Sequence, residues 1–261
     1  MNISEKLDTI AENVPKVYDS GQKVGYDNGY EIGKQDGYND GYAVGHNIGF
    51  AEGEQAEYDC FWDAFQDYGN RTNYDNGFAG TGWTKDTFAP KYNINIYNAY
   101  MMFRNSAIEA DLPALLQELG IQIKFDTTTL QYTFYGTKFT RIGEVNIRGN
   151  AYTNSIFAAS EELVTIDKVI CNEASAFTTC FNGCNELKNI TFEGVIGKNG
   201  LNLQWSTKLS HDSFVSIINC LSTTTSGLSV TLSKTAVENA FTAEEWAALI
   251  ATKSNWTISL V

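Results

Sequence analysis

The chain reads SIFAASEELVTIDKV over residues 155–169 and CFNGCNELKNITFEG over residues 180–194. In each stretch a phenylalanine turn is followed by Leu-x-x-Ile, and the matching apolar residues lie 24 positions apart. The pairs are Phe157 with Phe181, Leu163 with Leu187, and Ile166 with Ile190. Self-similarity at a fixed period of this size predicts one small structural unit per copy, stacked on its neighbours.

Two further copies extend the pattern toward the N-terminus. A further step of 24 residues back reaches Phe139 and Ile142, and residues 100–125 are a degenerate copy with a longer helical segment. A period of 24 residues lies in the range of leucine-rich repeats. We therefore predict a short solenoid over residues 99–221, in which each turn contributes one strand whose apolar residues face inward.

Residues 222–261 predict a different unit, one that closes the solenoid. Alternating apolar residues predict a strand in TTTSGLSVTLS and another in NWTISLV. Between them, Thr242 and Glu245 have the spacing of a capping box at the start of a helix. The predicted inward face of that helix comprises Trp246, Leu249 and Ile250. A strand–helix–strand cap of this kind would cover an open sheet edge.

A stripe of glycines spaced four residues apart precedes the repeat. This interval is close to the helical period and far from the strand period of two, so residues 21–68 predict a long helix. Nine interior glycines cost such a helix about 7–9 kcal/mol relative to alanine. We expect a second helix to use the bare backbone, as in GxxxG contacts, and we favour a trimeric stalk. The predicted oligomerisation residues are Gly21, Gly25, Gly29, Gly33, Gly37, Gly41, Gly45, Gly49 and Gly53, with Tyr26, Tyr30, Tyr38, Tyr42 and Phe50.

Two alternatives remain for the glycine stripe: a flexible linker, or one helix packed on its own domain. The regular interval and the lack of Ser and Pro within 21–68 favour the helix over a linker. Residues 1–20 predict a short N-terminal helix. Residues 69–98, rich in glycine, asparagine and aromatic residues, predict a junction of loops and short strands. The predicted fold class is therefore α+β, with a glycine-striped helix, a repeat solenoid and a cap.

The composition limits the classes of partner. The 261 residues carry a formal net charge of −13, which disfavours nucleic acid. No apolar run approaches the roughly 18 residues of a membrane span, so we expect no membrane insertion. The five cysteines have no histidine near them at zinc-ligand spacing, which predicts buried thiols rather than a metal site. We expect neither a metal nor a cofactor.

The candidate catalytic residues are few, and we expect no enzyme. His46 occupies an aromatic position of the glycine stripe, and His211 with Asp212 lies in KLSHDSF, where Ser210 or Asp212 predicts a helix N-cap. The chain has no G-x-S-x-G motif and no phosphate-binding loop. A glycosidase carboxylate pair stays open as an alternative because carboxylates are plentiful, although scattered.

The outward residues of the predicted strands form a candidate ligand face. In a solenoid such residues build an extended surface. The polar character of this face, with Trp205 and Tyr152 near it, suits a carbohydrate or protein ligand, and a plain solvated surface is the alternative. The predicted face comprises Arg141, Thr165, Asp167, Asn189, Thr191 and Glu193.

The repeat resembles the BspA-type leucine-rich repeat, in which a Phe-x-x-Cys turn precedes a Leu-x-x-Ile strand, as in TTCFNGCNELKNITFEG (178–194). The order of SEKLDTIAENVPKVYDSG (4–21), EYDCFWDAFQDYGNRTNYDNGFAGTGW (57–83) and the repeats TRIGEVNI and LVTIDKVI is similar to that of virion-associated proteins from tailed phages and prophages of gut Gram-positive bacteria. This resemblance implies a structural or host-attachment protein of the virion. It brings no catalytic residues.

From this resemblance we expect a non-enzymatic tail-fibre or baseplate protein that attaches the phage to its host. Its partners would be further copies of itself, other virion proteins, and a glycan or protein of the host cell surface. It would be located in the virion after assembly in the host cytoplasm. The first alternative is a purely structural tail or capsid component without an external ligand. The second is a bacterial surface adhesin of the leucine-rich-repeat type.

Overall fold

The computed structural model describes residues 93–261, together with residues 13, 16 and 88. The chain divides into two units, Met1–Asn70 and Arg71–Val261, and the strands and helices below all lie in the second. Asn13 and Lys16, inside the predicted N-terminal helix, are helical. The glycine stripe and the stalk predicted over 21–68 lie outside the described residues, as does most of the predicted junction.

The described part of the chain is a mixed α and β structure with two parallel sheets and four helices. The first sheet has the order β1-β2-β3-β4-β5, and the second has the order β6-β7-β8. The strands are β1 Ile94–Asn98, β2 Ile123–Thr129, β3 Arg141–Tyr152, β4 Thr165–Cys171, β5 Asn189–Gly194, β6 Asn202–Leu203, β7 Leu228–Leu232 and β8 Trp256–Leu260. The helices are α1 Leu112–Glu118, α2 His211–Cys220, α3 Lys234–Ala240 and α4 Ala243–Ala251.

The strands β3, β4 and β5 pair in the register that the repeat predicts. Ile142 lies opposite Ile166, and Ile166 lies opposite Ile190, so adjacent strands are offset by 24 residues. All three isoleucines are at most 2% exposed. The alternation of apolar and polar residues therefore sends one face of the sheet into the core, as expected from the two-residue period of a strand.

Four phenylalanines form a column in this core, which we call the phenylalanine stack. Their ring centroids are separated by 5.7, 5.7 and 5.5 Å along the column, and none of the rings is exposed to solvent. The members in order are Phe103, Phe134, Phe157 and Phe181. The prediction that Phe157 and Phe181 occupy equivalent places is confirmed, while Phe103 and Phe134 are additional members.

Each member of the stack lies in one of four tight turns, residues 100–106, 131–137, 154–160 and 178–184, which we call the stacked turns. Successive turns are joined by backbone hydrogen bonds, as strands are. The Phe134 amide donates to the Ile156 carbonyl at 2.8 Å, and the Phe157 amide donates to the Cys180 carbonyl at 3.1 Å. Side chains add further links: the Ser160 hydroxyl donates to the Phe134 carbonyl at 2.6 Å, and the Cys184 thiol to the Phe157 carbonyl at 3.1 Å.

The C-terminal unit contains one helix more than the sequence predicts, so the strand–helix–strand description needs correction. The capping box of Thr242 and Glu245 is present at the start of α4. However, α3 precedes it, with Ser233 as N-cap and only Ala236 and Val237 buried. Seven residues with two small inward positions produce too weak an apolar period for recognition from sequence. The expected inward residues Trp246, Leu249 and Ile250 are half-buried, and α4 has no fully buried residue.

Candidate functional site

The six residues of the predicted ligand face lie on β3, β4 and β5, and they are exposed or half-buried. Arg141 and Asp167 form a bidentate ion pair, with the guanidinium Nε 2.7 Å from Oδ1 and Nη2 3.0 Å from Oδ2. A second carboxylate, that of Asp111, lies 3.5 Å from Nη1. The hydrogen bond from Asp167 raises the pKa of Arg141 above its ordinary value. The principal cation of the predicted face is therefore already paired with carboxylates.

Lys168 is a member of this face that the sequence analysis missed. Its ammonium lies 3.0 Å from the Glu193 carboxylate and 3.7 Å from that of Glu144, and the hydrogen bond from Glu193 raises the pKa of Lys168. The register between β4 and β5 shifts between Ile166 and Val169. The strict alternation assumed from the sequence does not apply at such an irregularity, which is why Lys168 was not assigned to the outward face.

The stacked turns form a second surface, a groove of about 1050 Å³ that we call the turn groove. Trp205 lies in this groove, whereas none of the six predicted face residues lines it. The expectation that Trp205 accompanies the strand face is therefore wrong. Trp205 follows β6 directly, and the neighbouring Ser206 hydroxyl donates to the Cys184 carbonyl at 3.1 Å. This bond holds the tryptophan segment against the last stacked turn.

One end of the turn groove is formed by large side chains around Arg104. The guanidinium carbon lies 5.6 Å from the ring centroid of Tyr132 and 5.7 Å from that of Tyr135. The two rings meet edge to face with centroids 5.6 Å apart. Within the described residues no carboxylate lies at salt-bridge distance from Arg104, and its Nη1 contacts the Met101 sulfur at 3.4 Å. Cation–π contacts of this kind hold the guanidinium in a defined place.

The middle of the turn groove is lined by small side chains. Ser155 and Thr179 occupy equivalent places in adjacent turns, and their hydroxyl oxygens are 2.7 Å apart. Ala159 and Gly183 are likewise equivalent and lie side by side on the groove floor. The surface is therefore low in the middle and bounded by aromatic residues at both ends, with Trp205 opposite the tyrosine pair.

The other residues considered for chemistry have structural surroundings. His211 is the first residue of α2, where Ser210 is the N-cap, and its ring centroid lies 4.4 Å from that of Phe241. Cys180 and Cys184 are buried free thiols, and burial raises the pKa of each to about 12. In residues 93–261 no group of three metal-binding side chains comes together. His46 lies outside the described residues.

Comparison with known proteins gives no family assignment: no family model, curated protein or solved structure matches the chain. In the part of the chain that the structure describes, no helix has both the length and the apolar character to cross a membrane.

Proposed function

We propose that residues 99–221 form a leucine-rich-repeat solenoid of the BspA type. The pairing of β3, β4 and β5 at 24-residue offsets supports this proposal, as does the continuous phenylalanine stack. A repeat that contacts only its neighbours buries its apolar face by stacking, and its outward side chains then form an extended surface.

We propose further that the protein is a non-enzymatic attachment protein of a phage virion, in which a glycine-striped stalk assembles several copies of this recognition unit. The single observation that carries this proposal is the in-register stack of strands and turns. It holds the side chains of successive turns at a fixed spacing without a separate scaffold. Several such units on one stalk increase avidity through effective concentration, so individual contacts need only modest affinity.

The second candidate is a structural virion component without an external ligand. The ion pairs of the strand face favour it, because Arg141 and Lys168 are already satisfied by carboxylates of the same chain. In this case the outward charges would serve to hold the strands together rather than to bind a receptor. An adhesin on a bacterial surface remains the third candidate.

Binding of the purified full chain to cells distinguishes the first two candidates. The fluorescently labelled protein would be added to a panel of gut Gram-positive bacteria, with an excess of unlabelled protein as competitor. An attachment protein shows saturable, competed binding to at least one host. The absence of saturable binding to the whole panel contradicts attachment and favours the structural component.

A further inference from the structure

The turn groove has a length set by the stacking of the fold. Its floor is made by the turns at 154–160 and 178–184, and its ends by the preceding turn with Tyr132 and Tyr135 and by the Trp205 segment. Three layer intervals separate these ends, which at strand-like spacing amounts to about 14 Å. A chain of two or three hexose units has comparable length.

Trp205 gives the groove an exposed aromatic surface. The residue is 50% exposed, although a large indole usually has most of its apolar surface covered. Its backbone is held by the hydrogen bond from Ser206 to Cys184, so the indole extends from a fixed position. A pyranose ring offers an apolar face of C–H groups that can cover an indole or phenol ring, with its hydroxyls directed to the sides.

The polar groups around the groove complement such hydroxyls. Asn182, Asn185 and Gln131 provide amides, which both donate and accept hydrogen bonds. Ser155 and Thr179 provide a hydroxyl pair on the floor. The only charged residues that line the groove are Arg104 and Glu161, which have opposite signs. In a chain of net charge −13, this balance favours an uncharged ligand over an acidic one.

The backbone of the floor argues against an extended peptide as the ligand. Peptides that add to an edge use free main-chain donors and acceptors. Here alternate amides are already used between turns: the Ser155 amide donates to the Thr178 carbonyl at 3.1 Å, and the Ala159 amide to the Asn182 carbonyl at 2.7 Å. Recognition in the groove must therefore rely on side chains, which suits a sugar.

We propose that the turn groove binds a neutral oligosaccharide, with one pyranose stacked on Trp205 and a neighbouring unit over Ser155 and Thr179. This proposal rests on the proposed attachment function and supplies the ligand class for it. The strand face, whose charges are paired internally, is then a structural surface.

The test uses the full chain and three variants. Trp205→Ala removes the stacking surface, Asn182→Trp fills the groove, and Val195→Ala is a matched control at an exposed apolar residue that does not line the groove. Each is applied to an array of neutral tri- to hexasaccharides of glucose, galactose and N-acetylhexosamines, with acidic glycans alongside, and to the bacterial panel before and after periodate oxidation. Thermal unfolding verifies that each variant is folded.

We expect wild type and Val195→Ala to bind neutral glycans alike, and Trp205→Ala and Asn182→Trp to lose at least about tenfold in affinity, as central aromatic contacts do. Binding to acidic glycans alone overturns the proposal. So does cell binding that protease abolishes and periodate does not, because the ligand is then a protein. Cell binding that both groove variants retain overturns the groove while attachment stands. Glycan binding without cell binding contradicts attachment but supports the groove, and the absence of both overturns both proposals.

Discussion

At the scale of single residues, the stacked turns depend on a repeated backbone conformation. In each turn the residues two positions before and two positions after the stacked phenylalanine have positive φ, as in the pairs Ser155 and Ala159 (54° and 58°) and Thr179 and Gly183 (55° and 79°). Residues with a Cβ pay about 1–2 kcal/mol in this left-handed region. Some turns thus use glycine at the second position, whereas the turn at 154–160 uses alanine.

Ala159→Gly is predicted to stabilise the protein, and Gly183→Ala to destabilise it. The first change removes the strain of alanine at a φ of 58°. The second introduces strain at a φ of 79° and brings a Cβ to 3.3 Å from the Cα of Ala159. We expect opposite shifts of the urea midpoint, each corresponding to about 1 kcal/mol. Ala158→Gly is the control: it lacks the positive φ, so glycine there should destabilise, and a stabilising effect would contradict our explanation.

The buried cysteines predict a loss of stability at high pH. Burial raises the pKa of Cys184 from its ordinary value of 9.0 to about 12, so the folded protein keeps a proton that the unfolded chain loses. The corresponding stability is complete below pH 9.0 and falls as pH rises toward about 12. Cys184→Ser should lessen this alkaline loss in denaturant titrations between pH 8 and pH 11, because serine occupies the equivalent place at 160 without titrating. An unchanged pH profile would contradict the assignment.

The same burial predicts selective alkylation. At pH 8 the thiols of Cys180 and Cys184 remain protonated and covered, whereas Cys220 is half-buried. Iodoacetamide labelling of the native full chain, followed by peptide mass spectrometry, should modify Cys220 first. Equal labelling in urea is the control for intrinsic reactivity. Rapid native labelling of Cys184 would show that the last turn opens.

At the scale of elements, a buried lysine connects the C-terminal unit to α2. Lys253 is 6% exposed, and its ammonium donates to the Asn219 carbonyl at 3.1 Å and also to the Leu221 carbonyl. These carbonyls lie at the C-terminal end of α2, where the helix leaves acceptors without intrahelical partners and favours a positive charge. The Trp256 indole donates to the Ser222 carbonyl at 2.8 Å and adds a second connection.

Lys253→Met is predicted to destabilise the described unit by about 1–3 kcal/mol, the range for buried acceptors left without a donor. The change keeps a long apolar side chain, so the cost reports the lost hydrogen bonds rather than a cavity. Urea unfolding followed by tryptophan fluorescence measures it. The matched control is Lys234→Met, where the side chain is 61% exposed and its carboxylate partner Glu238 is 3.7 Å away. Equal effects of the two variants would contradict a role for Lys253 in this connection.

At the scale of the whole molecule, the proposed stalk predicts an oligomer. Light scattering of the full chain should give three times the mass of the 28.9-kDa chain. Replacing Gly33, Gly37 and Gly41 by leucine should reduce the mass to that of one chain, because close approach of helix backbones needs small residues.

Leucine at Gln35, Asn39 and Ala43 is the control for this experiment. These positions have the same spacing of four but lie about 200° around a helix from the glycines, so the oligomer should persist. A monomeric wild type, or a glycine variant that keeps its oligomeric state, would contradict the stalk and leave the glycine stripe as a linker or as a helix packed within one chain.

What the sequence alone determines is what repeats locally. The 24-residue offset, the inward isoleucines of β3, β4 and β5, the N-cap Ser210 and the capping box of α4 follow from residue order, since each depends on neighbours within a few positions. The short helix α3 has the same local origin, but its two small inward residues leave too weak a pattern.

The tertiary structure decided the position of the candidate site. Trp205 and Tyr132 are far apart in sequence, and they flank one groove only because the turns between them stack and carry small side chains. The pairing of Lys168 with Glu193 similarly depends on a register shift between two strands. Periodicity in a sequence reports which face a residue occupies, whereas the shape of a surface depends on the sizes of side chains brought together from several turns. That is why the repeat could be predicted and the groove could not.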